Sequence, residues 1–158
     1  ERRVDVGFVV LPDERFDTQA LVEDQFVAVL PVDHPLARQA SVHLSDLCHL
    51  PFIMTAAGAA PQIEKLFESA GLRPNIKHRY SQIITIIKTV ESGAGVSIIA
   101  GFALSDQVMA MCPGVVKIPL VPTARRSVGL AVPSLKHASP AVLAFLKTSK
   151  WVMPRLRY

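Results

Sequence analysis

The sequence predicts an α/β fold in which a mainly parallel sheet is covered on both faces by helices. Apolar, β-branched runs alternate with amphipathic helical runs along the chain, and this alternation is typical of sheets whose parallel strands are connected by helices. Half of the 158 residues are hydrophobic and only 19% are charged, which excludes a disordered segment. A chain of this length can form one domain or two small lobes around a buried core.

The first half of the chain consists of extended segments separated by turns that contain proline. Proline removes a backbone donor and restricts the residue before it, so the segment 31–37, which holds Pro31 and Pro35, is a connector. Ser45 precedes a short apolar segment and is expected to cap a helix. The elements expected in this half are strands at 4–10 and 21–30, a helix at 45–50 and a strand at 52–54.

The second half contains the clearest helix of the chain. Apolar residues follow the spacing i, i+3, i+4, i+7 from Ile63 to Ala70, which builds one apolar stripe. Pro61 suits the first turn of this helix, and Gly71 suits a left-handed residue at its end. The remaining expected elements are a strand at 76–80, a helix capped by Ser81 and ended by Gly93 and Gly95, strands at 96–100, 115–120 and 127–132, a helix at 105–111, and a C-terminal helix capped by Ser139 with Val142, Leu143, Phe145, Leu146 and Val152 inward.

The sequence carries none of the common catalytic or metal-binding motifs. It contains no GxSxG, GxxxxGK[ST], HExxH or GxGxxG pattern, and its five histidines are scattered. Cys48 and Cys112 lie far apart without the spacing of zinc ligands. We therefore expect no catalytic residue, no metal and no cofactor. Two reduced thiols favour a cytoplasmic location.

The net charge of +4 does not by itself indicate nucleic-acid binding. Basic residues such as Arg125 and Arg126 are not interleaved with stacking aromatic side chains. Lys88 and Glu91 interrupt the most apolar stretch, so no segment reaches the roughly 18 to 20 residues of a membrane helix. We expect neither a membrane span nor direct nucleic-acid contact from these residues.

Two strand-to-helix junctions are the most promising binding features. Thr55–Pro61 and Ser81 place small or hydroxylated residues where a strand gives way to a helix start. Unpaired backbone N–H groups and the helix dipole favour an anion at such a position, and a carboxylate would suit it. The alternative is ordinary helix capping by serine and threonine.

A series of motifs, taken in order, resembles the effector-binding domain of LysR-type transcriptional regulators. Each motif is short, but their order and spacing extend over most of the chain, and His34-Pro35-Leu36-Ala37 is the sharpest of them. The matching segments are Val4-Asp5-Val6-Gly7, Phe26-Val27-Ala28-Val29-Leu30-Pro31, Asp33 to Ala37, Leu44-Ser45-Asp46-Leu47 with Pro51-Phe52-Ile53, Phe67 with Ala70-Gly71-Leu72-Arg73-Pro74, and Val90 to Ile99.

The resemblance implies a type 2 periplasmic-binding-protein-like fold. Such a fold has two α/β lobes with mixed, mainly parallel sheets, joined by two crossing segments. Residues 1–31 and 121–158 would then form the first lobe and residues 32–120 the second, with crossings near Leu30-Pro31 and Leu120-Val121. Because the sequence opens at Glu1 without an initiator methionine and enters a strand at once, we expect a fragment with an incomplete first lobe and no helix-turn-helix domain.

The resemblance also implies a ligand-binding site in the cleft of that fold. In the family the cleft includes the loop after the first strand of the second lobe, here Thr55, Ala57, Gly58 and Ala59. Further residues carried over to the site are Ser81 and Phe102 from the second lobe and Leu11 and Pro12 from the first. His34, Pro35 and Leu36 are expected to be structural.

The function implied is that of an effector-sensing regulatory domain and not of an enzyme. A small, anionic metabolite would bind in the cleft and alter DNA binding and transcription through the absent N-terminal domain. The full-length protein would be cytoplasmic and a homo-oligomer, such as a dimer, without membrane contact. The alternative is a periplasmic solute-binding protein of a transporter, and a third reading, an α/β enzyme, has no residue set to support it.

Overall fold

The computed structural model describes residues 4–153 of the chain. Residues 1–3 and 154–158, which the sequence assigns to the first lobe, lie outside the described part. The strands are β1 (Gly7–Leu11), β2 (Asp17–Pro31), β3 (Val42–His43), β4 (Pro51–Thr55), β5 (Asn75–Tyr80), β6 (Ser97–Ala100), β7 (Val115–Val121) and β8 (Arg125–Val132). The helices are α1 (Leu44–Cys48), α2 (Ala60–Ser69), α3 (Ile83–Glu91), α4 (Asp106–Ala110) and α5 (Pro140–Val152), with 3₁₀ helices at Pro35–Arg38 and Gly101–Ala103. The α/β class is confirmed.

The described residues form two compact units. One consists of the residues up to Asp24 together with those from Arg125 onward, and the other is Gln25–Ala124. The crossings expected at Leu30-Pro31 and Leu120-Val121 both lie inside the second unit. The reason is that β2 continues without interruption from one unit into the other, so that its final proline ends the strand and does not mark the boundary.

The first unit is an antiparallel sheet with one helix packed against it. β8 lies between β1 and β2, and its register with β1 runs from Gly7 opposite Ala131 to Leu11 opposite Ser127. α5 packs on this sheet through a small apolar core. The buried residues of that core are Leu21, Leu130, Val132, Val142 and Leu146.

The C-terminal helix α5 buries fewer residues than the sequence predicts. Val142 and Leu146 are buried, whereas Leu143 and Phe145 are 47% and 48% exposed. Residues four apart lie on one face of a helix, while adjacent residues are rotated by about 100° from one another. The prediction that Leu143 and Phe145 point inward is therefore wrong.

The second unit contains a mixed sheet. The later part of β2 pairs antiparallel with β6 and with β7, and β7 pairs parallel with the short β3. β4 and β5 form a parallel pair, which a single bridge between Phe52 and Val96 joins to the chain entering β6. The parallel share of the sheet is smaller than strand–helix alternation predicts, because β6 and β7 return beside β2 in the opposite direction.

The side chains of β4 alternate between two cores. Phe52 and Met54 belong to the core that contains α2, where the rings of Phe52 and Phe67 meet edge to face with centroids 5.4 Å apart. Ile53 belongs to the core that contains Ile87 of α3. Successive residues of a strand point to opposite faces, so α2 covers one face of β4 and α3 covers the other.

The helix α2 begins and ends as its sequence predicts. Pro61 lies in its first turn, and Gly71 after its end has a φ of 68°, in the left-handed region that glycine adopts without strain. The N–H of Leu72 donates to the carbonyl of Phe67 at 2.8 Å, which satisfies one of the last carbonyls of the helix.

Two of the three predicted serine caps are wrong. Ser45 lies inside α1, whose N-cap is His43 with its N–H donating to Asp46 Oδ2 at 3.3 Å. Gln82, and not Ser81, occupies the N-cap of α3. Ser105 and Ser139 do cap their helices, accepting the N–H groups of Val108 and Val142 at 3.4 and 3.3 Å.

His34 stabilises the connector after β2. Its Nδ1 accepts the N–H of Leu36 at 3.2 Å, and its carbonyl oxygen accepts the N–H of Ala37 at 2.8 Å. Pro35 occupies the first turn of the 3₁₀ helix that follows. These hydrogen bonds stay within the connector and agree with the structural role expected of His34, Pro35 and Leu36.

Glu91 ties the end of α3 to the chain entering β7. Its carboxylate accepts Lys88 Nζ at 2.7 Å and the N–H of Gly114 at 2.9 Å. The hydrogen bond from Lys88, followed by that from Gly114, holds the pKa of the Glu91 carboxyl below its ordinary value. Both donors favour the charged carboxylate.

The backbone before β6 approaches β4 closely. The N–H of Val96 donates to the carbonyl of Pro51 at 2.9 Å, and the carbonyl of Val96 accepts the N–H of Ile53 at 2.8 Å. A Cβ atom on Gly95 would overlap the Pro51 carbonyl oxygen. The residue at position 95 must therefore be glycine for the strands to meet at this distance.

A buried ion pair lies where the chain passes between the two units. Asp24 is 3% exposed and is the one buried charged residue in the described part of the chain. Arg126 donates to Asp24 Oδ2 from Nε at 2.8 Å and from Nη2 at 2.7 Å. The pair links β2 to β8, two strands that are 102 residues apart in sequence.

We expect Asp24→Ala to destabilise the protein by about 3–5 kcal/mol, because it leaves the Arg126 guanidinium without its buried carboxylate. Thermal unfolding of Asp24→Ala, Arg126→Met and the double variant measures the coupling, and the double variant should cost less than the sum of the two single changes. Glu64→Ala is the control, since the Glu64–Arg79 pair is about half exposed and should contribute under about 1 kcal/mol. Equal losses for Asp24→Ala and Glu64→Ala would contradict the prediction.

Gly95→Ala should lower the free energy of unfolding by about 1–3 kcal/mol, because the new methyl group needs the space of the Pro51 carbonyl. Gly7→Ala is the matched control, since nothing lies within 4 Å of a Cβ at that position. Melting temperatures of the two variants test this. A Gly95→Ala variant as stable as Gly7→Ala would show that the strands can separate at no cost.

Candidate functional site

The carboxyl ends of β4, β5 and β6 meet at one edge of the second unit. β4 and β5 run parallel with Thr55 opposite Tyr80, and the bridge between Phe52 and Val96 is also parallel. Three segments therefore leave this edge, one after each strand. We call the edge segments Thr55–Ala59, Ser81–Gln82 and Gly101–Ala103.

Thr55 fixes the first edge segment from inside the unit. It is 3% exposed, and its Oγ1 accepts the N–H of Ala57 at 3.1 Å. The N–H of the intervening Ala56 donates to the carbonyl of Tyr80 at 2.8 Å. These two hydrogen bonds anchor the segment both to its own strand and to β5.

The remaining backbone donors of this segment are available to a ligand. The N–H of Ala60 donates to the carbonyl of Ala57 at 2.9 Å, which closes the turn before α2. Within residues 4–153 the structure shows no acceptor for the N–H groups of Gly58 and Ala59. Gly58 is exposed, and a Cβ atom there would meet nothing within 4 Å. Both donors lie at the N-terminal end of α2, where the helix dipole favours negative charge.

Neither hydroxyl group of the predicted site acts as a helix cap. Thr55 Oγ1 accepts an N–H within its own turn, before α2 begins. Ser81 is exposed and stands one residue before the N-cap of α3, which is Gln82. The capping alternative therefore does not account for either residue.

The structure brings most of the predicted site residues to one edge. Thr55, Ala57, Gly58 and Ala59 form the first segment, Ser81 belongs to the second, and Phe102 lies partly buried in the third. Leu11 and Pro12 follow β1 in the first unit, so their membership of the site stays a prediction.

The edge carries no ionisable side chain. None of the three segments contains Asp, Glu, His, Lys or Arg, so the segments themselves offer a bound charge backbone dipoles and hydroxyl groups. No group of His, Cys, Asp and Glu residues that could hold a metal ion is found within residues 4–153. The same residues include no helix long and apolar enough to cross a bilayer.

Sequence reasoning missed one polar group near this edge. Gln62, in the first turn of α2, has a buried Oε1 with no hydrogen-bond partner among the described residues. A glutamine at this position commonly bonds back to the N-cap N–H, here that of Ala59, and that bond is not made. The sequence offered one sign of this group, because Gln62 lies three residues after Ala59, the spacing of a glutamine that bonds back to the N-cap.

A separate groove of about 530 Å³ lies at the other end of α2. Phe67, Leu72, Arg73 and Ile76 are among its lining residues. No predicted site residue lines it, and it is open to solvent beside the chain reversal at Gly71. We therefore locate the candidate site at the strand ends and not in this groove.

The sequence matches known transcriptional regulators. Over residues 1–152 it matches the family model described as LysR substrate binding domain. YvbU, described as an uncharacterized HTH-type transcriptional regulator of Bacillus subtilis (strain 168), is 34% identical over 149 residues, which are 94% of this chain and 50% of that protein. The chain thus spans about half the length of this curated relative.

Solved structures share the fold. The regulatory domain of CcmR from Synechocystis PCC6803, in complex with 2-PG, superposes with a TM-score of 0.82 at 19% identity and covers 96% of this chain and 74% of that chain. The effector-binding domain of QuiR, in complex with shikimate, has a TM-score of 0.80 at 22% identity over 98% of this chain and 74% of that chain. The predicted type 2 periplasmic-binding-protein-like fold is confirmed.

Thr55→Val should destabilise the first edge segment by about 1 kcal/mol, because the N–H of Ala57 loses its acceptor. Thr55→Ser keeps the hydroxyl oxygen and should remain within a few tenths of a kcal/mol of the unaltered protein. Thermal unfolding, together with hydrogen exchange of the Ala57 amide, measures both effects. If the serine variant lost as much as the valine variant, packing of the methyl group and not the hydrogen bond would hold the turn.

Proposed function

The chain belongs to the LysR substrate-binding domain family, and from that premise we propose that it senses a small, anionic effector at the strand-end edge of its second unit. The effector would be contacted by the N–H groups of Gly58 and Ala59 and by the hydroxyl of Ser81. Phe102, in the third edge segment, would supply an apolar contact. Leu11 and Pro12 are proposed as the contribution of the first unit.

The observation that carries this proposal is that the N–H groups of Gly58 and Ala59, at the start of α2, have no acceptor among residues 4–153. Backbone donors at a helix N-terminus favour a carboxylate or another anion, by about 0.3–1 kcal/mol from the dipole alone when exposed. Hydrogen bonds to a charged group contribute more when water is excluded. The three edge segments contain no acidic side chain, so they place no like charge beside a negative ligand.

Two of the structural neighbours support binding of a small molecule. The CcmR domain was solved with 2-PG and the QuiR domain with shikimate. We extend small-ligand binding from those proteins to this chain as part of the proposal. The identity of the effector is left to the experiment below.

In the full-length protein we propose that effector binding changes DNA binding and transcription. A ligand shifts a conformational equilibrium only when it binds one state more tightly than the other. In a homo-oligomeric regulator, such a shift would alter the geometry presented to DNA. A regulator of this kind acts on DNA in the cytoplasm. The alternative, a solute-binding protein of a transporter, is not favoured, because YvbU is described as a transcriptional regulator.

A thermal-shift screen with small carboxylates and aromatic acids, including shikimate and benzoate, tests the proposal. A ligand at 100 times its Kd adds about 2.7 kcal/mol to the free energy of unfolding when it binds only the folded state. We expect a rise in melting temperature for at least one acid and none for its neutral amide. Equal responses to acid and amide would contradict the anionic character of the effector.

Gly58→Asp should abolish the response to an acid, because it places a like charge beside the free N–H groups. Gly58→Asn is the matched control, since its side chain has nearly the same size without the charge and has open space around it. The asparagine variant should keep a measurable response. Retention of full affinity by Gly58→Asp would move the site to another part of the chain.

A further inference from the structure

The pairing of β4 with the chain of β6 ends at a buried hydroxyl group. Ser97 is fully buried, and its Oγ donates to the carbonyl of Ile53 at 2.7 Å. In a regular parallel pair the next donor to this carbonyl would be the backbone N–H of Ile98. The Ser97 side chain thus donates to the carbonyl that this N–H would reach, and among residues 4–153 the parallel pairing here is the isolated bridge between Phe52 and Val96, the residue before β6.

The pairing of β4 with β5, on the other edge of β4, is also irregular at Phe52 and Ile53. Phe52 lies opposite Ile76, but Ile53 lies opposite His78, so Lys77 is an extra residue in β5. Such a bulge bends its strand and redirects the residues that follow. β4 therefore departs from regular pairing on both edges at Phe52 and Ile53, two residues before Thr55.

These irregularities lie directly before the segments of the candidate site. Thr55–Ala59 follows β4, and Gly101–Ala103 follows β6. A regular ladder would hold the two strands about 4.8 Å apart up to their ends. A side-chain bond in place of the next backbone bond does not impose that spacing on the two strand ends.

We propose that Ser97 is a positioning residue of the effector site. Its hydroxyl group stops the β4–β6 ladder and so sets the separation between the Thr55–Ala59 segment and the segment that contains Phe102. The inference rests on the proposed function for its premise that this edge binds an effector. The position of the two segments can be measured without any ligand.

Backbone amide spectra of the 158-residue chain and its Ser97→Ala variant test the inference. Without the hydroxyl, the Ile53 carbonyl has to take another donor, and the strand ends move. We expect the amide resonances of Ala57, Gly58 and Phe102 to shift. Hydrogen exchange at Ala57 should be about fivefold faster, the change that the loss of one net hydrogen bond produces. Ser97→Thr keeps the hydroxyl and should leave these resonances near their original positions.

Ser92→Ala is the control variant. It removes a hydroxyl group that donates to the carbonyl of Thr89 at 2.8 Å, at an exposed site after α3, and should leave the edge segments unchanged. If Ser97→Ala does not fold, Ser97→Cys replaces it, because a thiol of similar size is a weak donor, and the same resonances should shift. Shifts confined to the immediate neighbours of Ser97 would overturn the inference.

The outcomes separate this inference from the proposed function. If no acid raises the melting temperature but Ser97→Ala shifts the resonances of the edge segments, the proposed function is contradicted and the role of Ser97 in positioning these segments is supported. If an acid raises the melting temperature but Ser97→Ala leaves these resonances in place, only the positioning role is contradicted.

Discussion

Strand β2 runs from one unit into the other, and its buried backbone N–H and C=O groups need hydrogen-bond partners along its whole length. β8 pairs with it in the first unit, and β6 and β7 pair with it in the second. At the end of the first unit, Arg126 donates to the carboxylate of Asp24. At the start of the second unit, the N–H of Phe26 donates to the carbonyl of Ala124 at 2.9 Å. The position of β6 follows from this pairing, and with it the place where the segment of Phe102 leaves the sheet.

The candidate site uses main-chain groups because its side chains offer little else. The hydroxyl oxygen of Thr55 already accepts the N–H of Ala57. The other residues of this segment are alanines and Gly58, which have no polar side chain. What is left is the pair of N–H groups before α2 and the exposed hydroxyl of Ser81. The proposed site would recognise the charge and shape of a small group through these donors. Selectivity among acids would then come from the surfaces that meet the rest of the ligand.

Local patterns in the sequence were sufficient to predict most of the helices and strands. The helix α2 could be predicted from its apolar spacing, Pro61 and Gly71, because each of these acts within a few residues. Thr55 and Ser81 could each be placed at a strand-to-helix junction, and the resemblance to the LysR family implied that they share a site. The helix signals are properties of neighbouring residues and are readable from one sequence.

Features that depend on distant partners could not be read in the same way. Nothing near Ser97 in the sequence shows that its hydroxyl reaches Ile53, 44 residues earlier. Leu143 and Phe145 have the composition of core residues, and their exposure follows from how much sheet α5 covers. The continuity of β2 past Asp24 likewise depends on pairing with β6, β7 and β8, which lie far along the sequence.

The use of main-chain donors at Gly58 and Ala59 affects how this protein can diversify. A backbone N–H survives every substitution except that to proline, so in the proposed site uncharged substitutions at these positions would alter the rim and leave the donors in place. Selection could then change which acid the proposed site accepts by altering residues around the donors one at a time. For a designer, the same property makes this edge a starting point for biosensors, because side chains of many shapes can be introduced while the binding element for the acid group stays in place.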